Sequence, residues 1–418
     1  MNERIQLTNN LKLTDKKPAR GRLLSFVLAL CLLVITLASC DAVGSEAPEV
    51  HDYGTYGMQM AFRLSNQNPF REAYSSNERA TGDLIIKELE TLGYEPEIQA
   101  FTHTTEEGEV KSSRNIIVRI EGEGFYLEED VENYNMRAPV VTGQTESSTK
   151  ALPELHDKQV IIGTHYDSPT TQESREIMAN YSGISDNSSG IAALLTLAQV
   201  LRDEEHAYDI VLVFFGAGND EQRGAKAFLN EMSFADVRRT DCVYTIQNIY
   251  AGDKLYAHAG RSSLLPGRKY DMRRKLYEAT DVVLEHNLRG TMGVDLVMNQ
   301  GGYMVEVPGF EGRHVYREFS LQEGDYLPFD ERGIPVVFME AAEYDVDRLA
   351  DVTESEHPAF EASGGIVSGT DFDNTYTLRV SLGTEILQNR INASAFILLK
   401  AIQKGSFSYV PVSSVEFE

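Results

Sequence analysis

The feature that most restricts the fold is a set of apolar segments in which polar and apolar residues do not alternate. Strands that are buried on both faces have this composition, and they belong to parallel sheets covered by helices on either side. The segments predicted as strands are 159-QVIIGTH-165, 209-DIVLVFFG-216, 242-CVYTIQNI-249 and 334-IPVVFMEAA-342. We therefore predict an α/β fold with a mostly parallel, mixed central sheet and helices on both faces.

Segments between and around these strands place apolar residues at helical spacing. They predict helices at 188–203, near 225–232, near 274–285 and at 384–402, and a helical pattern also runs through 53–94. The polar segment 121–156 is predicted to be a surface insertion, because it lacks a regular apolar period of its own. We expect one domain at 53–405, followed by a C-terminal tail at 406–418.

The N-terminus predicts a secretion signal rather than part of the fold. Basic residues precede the apolar run 23-LLSFVLALCLLVITLASC-40, as in signal peptides. The run ends in Leu37-Ala38-Ser39-Cys40, which resembles a bacterial lipobox. We therefore expect residues 1–39 to be removed, Cys40 to carry lipid, and residues 40–52 to form a tether. A transmembrane anchor is the alternative, since the run approaches spanning length.

These expectations place the protein in the bacterial cell envelope, facing the periplasm or the cell surface, with its lipid in the membrane. The formal net charge of the 418-residue chain is −26, which disfavours nucleic acid as a partner because phosphates are repelled. Of the three cysteines, only Cys242 would remain unmodified in the mature body. It is predicted to be a small core residue.

Polar residues with metal-binding chemistry follow one predicted strand and precede one predicted helix. They lie in 164-THYDSP-169 and 183-GISDNSSGIAAL-194. A neutral His165 imidazole can bind a metal ion, Asp167 can orient the ring, and Asp186 can bridge two ions. Alternatively, His165 is a satisfied strand-end histidine and Asp186 a helix N-cap. The pair favours a metal site, because ligands bind at strand ends of open parallel sheets.

Several stretches resemble the zinc aminopeptidases of metallopeptidase clan MH, which include bacterial leucyl aminopeptidases, glutamate carboxypeptidase and glutaminyl cyclases. They are 163-GTHYDSP-169, 184-ISDNSSGIAALL-195, 213-VFFGAG-218, 224-GAKAFL-229, 252-GDKLYAHAG-260 and 333-GIPVVFMEA-341. The resemblance covers roughly 53–402. It implies a zinc-exopeptidase-like fold, zinc as the cofactor, and peptides as substrate or ligand.

In that family two zinc ions share a bridging aspartate, and each is also held by further carboxylate and histidine ligands. A second glutamate, next to the ligand glutamate, is the general base, and the ions activate water and stabilise the intermediate. By resemblance, His165 is the first histidine ligand, Asp167 is its orienting carboxylate, and Asp186 is the bridge.

The paired glutamates of the family have no clean counterpart here. Aligned without gaps, they fall on Gly218 and Asn219, which can serve neither as base nor as charged ligand. A shift of one residue offers Asn219 and Asp220, and a shift of two offers Asp220 as the base and Glu221 as a ligand. A solvated acidic turn is the alternative interpretation.

Two more ligand positions are altered. The family's next aspartate falls on Gln247 or Asn248, whose amide oxygens bind zinc more weakly than a carboxylate does. Its last histidine falls on Ser368 or Gly369, and no histidine follows His357 in the chain. His357 would substitute only if its loop folded back. We therefore predict an incomplete centre that holds one zinc ion or none.

Two functions are consistent with this pattern. The first is a lipid-anchored exopeptidase that releases N-terminal residues from peptides, with metal at His165 and Asp186. The second is a non-catalytic lipoprotein of the same fold that binds peptides or acts as a scaffold. The changes fall on chemical groups while the predicted strands and helices persist, which favours the second.

Overall fold

The structure is a computed structural model that describes most of the predicted domain. The described residues are 52–136, 151–265, 267, 269–298, 303–306, 309, 311–316, 323–346 and 351–417. The predicted signal peptide at 1–39, the lipidation site Cys40 and nearly all of the tether lie outside them. Residues 137–150 of the predicted insertion also lie outside them.

An eight-stranded sheet forms the centre of the described domain, and two smaller sheets accompany it. In chain order the strands are β1 (Glu97–Thr104), β2 (Val110–Ile120), β3 (Phe125–Leu127), β4 (Leu155–His156), β5 (Gln159–His165), β6 (Asp209–Phe215), β7 (Thr240–Ile246), β8 (Lys254–His258), β9 (Leu296–Met298), β10 (Tyr303–Glu306), β11 (Arg313–Tyr316), β12 (Val336–Ala342) and β13 (Tyr409–Pro411). The central order is β1-β2-β6-β5-β7-β12-β8-β9. Strands β6, β5, β7 and β12 run parallel to one another, β1 and β2 pair antiparallel to their neighbours, and β8 pairs antiparallel with β12 and parallel with β9. The predicted mixed α/β fold is confirmed.

The helices lie between and around these strands. In chain order they are α1 (Tyr56–Gln67), α2 (Ser76–Thr91), α3 (Glu128–Met136), α4 (Gln172–Ile177), α5 (Gly190–Leu201), α6 (Arg223–Glu231), α7 (Phe234–Arg239), α8 (Lys269–Glu285), α9 (Leu288–Met292), α10 (Leu327–Glu331), α11 (Thr375–Ser381) and α12 (Thr384–Gln403). A π-helical turn, Ile184–Ser189, leads directly into α5. Within the described ranges, no helix has both the length and the apolar character needed to cross a membrane.

Alternate residues of the central strands face two separate hydrophobic clusters, which explains their continuous apolar sequence. Ile162 and Cys242 belong to the larger cluster, which includes residues of α5 and α12. Ile161 belongs to the other, together with Phe228 of α6 and Phe329 of α10. All residues of β5 are buried. The sheet therefore fixes the strand ends rigidly, including His165 at the end of β5.

The predicted insertion at 121–156 is more regular than its polar sequence indicated. Its strands β3 and β4 pair with each other, and β3 also pairs with β13 from the predicted C-terminal tail. Phe125 is fully buried, with its ring centroid 4.8 Å from that of Tyr208. Strands of two or three residues carry too little periodicity to be recognised, and their partner lies at the far end of the chain. The described part of the insertion thus contains regular strands, and the surface insertion itself stays a prediction.

Candidate functional site

The carboxyl end of β5 carries the centre of the site. His165 is its last residue and is 4% exposed. Its Nε2 lies 3.0 Å from Asp186 Oδ1, and its Nδ1 lies 2.8 Å from Asp325 Oδ2. Burial alone would lower the pKa of His165, but Asp325 and Asp186 outweigh it and raise the pKa well above its ordinary value. The structure thus brings His165 and Asp186 together and adds Asp325, which sequence reasoning missed.

Asp167 has a different role from the expected one. Its carboxylate oxygens accept hydrogen bonds from the backbone N–H groups of Gly218 at 2.7 Å and Asn219 at 2.9 Å. The Tyr166 N–H still pairs with Phe215 of β6, so the strand geometry aims Asp167 at the turn that follows β6. The interpretation of Asp167 as the orienting partner of His165 is therefore corrected, because Asp325 occupies the ring nitrogen concerned.

A second buried carboxylate holds the same turn. Glu78 of α2 accepts hydrogen bonds from the backbone N–H of Ala217 at 2.8 Å and from the hydroxyl of Ser113 at 2.6 Å. Burial, followed by the charge of Asp167, raises the pKa of Glu78 to about 7. Three consecutive backbone N–H groups, at 217–219, are therefore bound by two buried carboxylates. No local pattern in the sequence indicates this role, since Glu78 resembles an ordinary first-turn helix residue.

Gly218 leaves no room for a glutamate at the position that the gap-free alignment indicates. A Cβ atom there would lie 2.3 Å from the Cβ of His165 and 3.1 Å from Asp325 Oδ1. Contacts this short require the backbone to move. The close packing of the turn on His165 thus explains why only glycine fits at this place. Asn219, the neighbour in that alignment, is exposed.

Asp220 and Glu221, the predicted base and ligand, take part in other contacts. Asp220 accepts a hydrogen bond of 2.5 Å from the hydroxyl of Tyr74. The side chain of Glu221 is 68% exposed and lies 2.9 Å from the guanidinium of Arg223. Among the described residues, neither carboxylate has a hydrogen bond or ion pair with His165 or Asp186. These contacts argue against both shifted registers and favour a solvated acidic turn.

The structure distinguishes between Gln247 and Asn248. The backbone N–H of Gln247 donates to Met339 in sheet-like pairing. Asn248 is 7% exposed, its side-chain oxygen accepts a hydrogen bond from the hydroxyl of Ser185, and its backbone N–H donates to Asn187 at 3.0 Å. Asn248 therefore faces the turn that carries Asp186, and it is the uncharged residue at the family's aspartate position.

Ser368, and not Gly369, faces Asp186 from the opposite side. The Ser368 hydroxyl donates a hydrogen bond to Asp186 Oδ2. Gly369 has a φ of +66°, and a Cβ there would lie 3.3 Å from the carbonyl oxygen of Pro169. His357 does not replace the missing histidine, because its Nδ1 accepts the N–H of Ala359 at 3.2 Å as a helix cap.

Two further carboxylates that sequence reasoning missed complete the site. Glu354 accepts the backbone N–H of Ser368 at 2.9 Å, and burial is the main cause that raises its pKa to about 7. Asp373 accepts the N–H groups of Ser185 at 2.7 Å and Asp186 at 3.0 Å. Burial raises the pKa of Asp373 to about 8. Asp186 is thus held through both its side chain and its backbone.

The donor set fits only part of the family's metal centre. His165 and Asp186, with Asp325 behind the imidazole, have the chemistry of one half of a zinc site. The other half presents the amide of Asn248 and the hydroxyl of Ser368, where the resemblance implies an aspartate and a histidine. Across the described ranges, no group of three or more His, Cys, Asp or Glu residues is arranged to hold a metal ion. The residues therefore do not fit a pair of zinc ions, and we assign no reaction step to zinc.

Comparison with known proteins agrees with the fold and identifies the family. The chain matches the model of Peptidase family M28 over residues 141–376. It is 22% identical to the alkaline phosphatase isozyme conversion protein of Escherichia coli (strain K12) over 349 residues, which is 82% of this chain and 86% of that protein. The resemblance found in the sequence is thereby confirmed.

Solved structures share the fold at low sequence identity. A zinc aminopeptidase from Bacillus subtilis matches with a TM-score of 0.55 and 14% identity, covering 86% of this chain and 98% of that chain. Glutaminyl cyclase from Porphyromonas gingivalis matches with a TM-score of 0.51 and 14% identity, covering 84% and 97%. The family implies aminopeptidase-like metallopeptidase chemistry, with zinc as its metal and peptides as its substrates. This chain belongs to Peptidase family M28.

Proposed function

We propose that this protein is a lipid-anchored, peptide-binding member of Peptidase family M28 in which two-zinc hydrolysis has been lost. The placement of the turn after β6 is the observation that carries the proposal. A general base must lie within hydrogen-bond reach of the water that it activates. Asp220 and Glu221 instead contact Tyr74 and Arg223, and Gly218 excludes a side chain.

The charge around the site favours a peptide with a free N-terminus as the ligand. Asp186, Asp325, Asp373 and Glu354 lie close to one another through the contacts described above. An ionised carboxylate attracts a ligand of the opposite charge, and Asp186 is an ionised member of this set, because the hydrogen bond and charge of His165 lower its pKa despite its burial. The ammonium group of an unblocked peptide is such a ligand, and it is the group that distinguishes aminopeptidase substrates from internal peptide segments.

Binding and turnover measured on the mature protein test this proposal. We expect calorimetric titration with short peptides to show binding that weakens by about tenfold or more after N-terminal acetylation, about 1.4 kcal/mol or more. Incubation with a panel of aminoacyl amides and added zinc should release no product above the blank. Turnover that a chelator abolishes and zinc restores would overturn the proposal.

A single-metal aminopeptidase is the second candidate function. It is favoured by the contact between His165 and Asp186, with Asp325 on the second ring nitrogen, because a carboxylate behind a histidine is the usual support of a metal ligand. Zinc-dependent turnover in the same assay, lost in Asp186→Asn, would establish this candidate instead.

Anchoring through Cys40 is also part of the proposal. We propose that residues 1–39 are removed, that lipid on Cys40 holds the domain at 53–405 in the cell envelope, and that 40–52 serve as the tether. Cys40→Ser should prevent lipid incorporation and leave the signal segment uncleaved, as mass spectrometry of the purified chain would detect. A wild-type chain that keeps residues 1–39 and lacks lipid would favour a transmembrane anchor.

A further inference from the structure

We infer that a hydrogen-bond network takes the place of the second cation beside Asp186. The network consists of Ser368, Glu354, Asn248 and Ser185, and we call it the Asp186 closure. The inference rests on the proposed function only in placing the M28-type site at Asp186. It goes further in identifying what stabilises that site when the second metal ion is not bound.

Both carboxylate oxygens of Asp186 already have protein partners. Oδ1 lies 3.0 Å from His165 Nε2, and Oδ2 accepts the hydrogen bond of Ser368. A carboxylate that bridges two cations must direct one oxygen at each of them. Asp186 is only 8% exposed, so the Ser368 hydroxyl occupies the side on which the second ion would have to bind.

Glu354 fixes the position of Ser368. Its carboxylate accepts the backbone N–H of Val367 at 3.0 Å and that of Ser368 at 2.9 Å. The loop is therefore held in the register that directs the Ser368 hydroxyl at Asp186, and Glu354 acts as a positioning residue.

Asn248 connects the closure to the turn before α5. Its side-chain oxygen accepts from Ser185, and its amide lies near enough to Glu354 to lower the pKa of that carboxyl. An amide can accept and donate at the same time, whereas an ionised carboxylate can only accept. Aspartate at position 248 could not donate to Glu354 and would place two carboxyl groups next to each other, which is unfavourable without a cation.

The replacements at positions 248 and 368 therefore form one consistent arrangement. A neutral amide suits Glu354, and a small hydroxyl suits Asp186, so each substitution satisfies a carboxylate that a metal ion would otherwise neutralise. Asp373 adds to this by binding the backbone N–H groups of Ser185 and Asp186. The geometry points to a site that is stable with the second cation excluded.

Zinc content per chain tests this inference separately from peptide binding. The mature protein would be dialysed against zinc, freed of loosely bound ions, and analysed by inductively coupled plasma mass spectrometry. We expect no more than one zinc ion per wild-type chain. The double variant Asn248→Asp/Ser368→His, which restores the charged and imidazole donors, should bind one more ion than wild type, and added zinc should raise its melting temperature.

A matched control carries the same changes at exposed positions, Asn230→Asp/Ser414→His, and should keep the wild-type zinc content. Two zinc ions per wild-type chain would overturn the inference, and so would a folded double variant that gains none. If the double variant does not fold, the zinc contents of the wild type and of Ser368→His alone decide whether the inference holds. Failure of peptide binding in the same wild-type sample would remove the proposed function and leave the zinc result standing.

Discussion

The two sides of the Asp186 carboxylate are built from different chemistry. On the strand side, Oδ1 meets His165, which is fixed at the end of β5 and supported by Asp325. On the loop side, Oδ2 meets the Ser368 hydroxyl, which Glu354 holds in place. The metal-binding residue types thus persist where the sheet supports them, and neutral groups stand where a loop supplies the donor. Loops tolerate such changes because few packed neighbours constrain them.

The largest expected effect lies on the strand side. His165→Ala removes the imidazole that lies between Asp186 and Asp325. Two buried carboxylates then face each other without it. Breaking a buried ion pair costs about 3–5 kcal/mol. Urea unfolding followed by circular dichroism should show a loss of this size. His103→Ala, at a half-buried histidine on β1, is the control, and equal losses in the two variants would contradict the strand-side assignment.

A pH-dependent effect of similar size is expected at Glu78, which binds the turn that packs on His165. Its pKa rises from 4.5 to about 7 on folding, chiefly through burial, so the native state holds more protons than the unfolded state between these values. The free energy of unfolding should therefore fall as pH rises through that window, by up to about 3 kcal/mol. Unfolding midpoints at pH 4.5 and 7.5 would measure the fall.

Glu78→Gln is the matched control for that pH dependence. Its amide is neutral at every pH, so the component due to position 78 should disappear from the difference between the two midpoints. The groups facing Glu78 are the hydroxyl of Ser113, the N–H groups of Tyr74 and Ala217, and the carboxylate of Asp167. An unchanged pH slope in the variant would mean that Glu78 is ionised throughout the window.

Gly218→Ala should have a moderate effect on the strand side. The added methyl group would meet the Cβ of His165 at 2.3 Å, and overpacking of this kind costs about 1–3 kcal/mol. Asn219→Ala, at the exposed next residue, keeps its backbone hydrogen bond to Asp167 and should change stability by less than about 0.5 kcal/mol. A Gly218→Ala chain as stable as wild type would show that the turn has room for a side chain.

Ser368→Ala probes the loop side and should cost less. It removes one hydrogen bond to Asp186 and leaves the backbone contact with Glu354 intact, so a loss of about 1 kcal/mol is expected. Thermal unfolding of Ser368→Ala beside Ser413→Ala, at an exposed serine, would measure it. A loss as large as that of His165→Ala would remove the distinction between the two sides.

The smallest effect is expected at Glu221. Its side chain is 68% exposed and pairs with Arg223, and exposed ion pairs contribute about 0–1 kcal/mol. Glu221→Ala should therefore leave both the zinc content and the melting temperature close to the wild-type values. A clear loss of bound zinc in this variant would restore Glu221 as a ligand.

The sequence predicted the scaffold better than the site. Uninterrupted apolar runs identified β5, β6, β7 and β12 because burial on both faces dictates their composition. His165 and Asp186 were found because each lies in a local motif beside a strand or helix. Asp325, Glu354 and Asp373 were missed, since they reach the site from segments far away along the chain; Asp325 follows His165 by 160 residues.

Register was the other property that the sequence did not determine. By residue type, Asp220 and Glu221 could supply a base and a ligand and Asn219 could not, but the packing of Gly218 on His165 and the contacts of Asp220 with Tyr74 and of Glu221 with Arg223 argue against these roles. The choices between Gln247 and Asn248 and between Ser368 and Gly369 are of the same kind. A shift of one residue along an irregular turn changes the direction in which the side chain points. The sequence of such a turn has no periodic pattern that indicates which residue faces inward.

Anomalous diffraction at the zinc edge, from crystals of the wild-type chain soaked in zinc, tests the central claim most directly. The Asp186 closure predicts at most one peak, on the His165 side of Asp186, with the Ser368 hydroxyl still hydrogen-bonded to Oδ2. Two peaks flanking the Asp186 carboxylate, with Ser368 displaced from it, would contradict the claim.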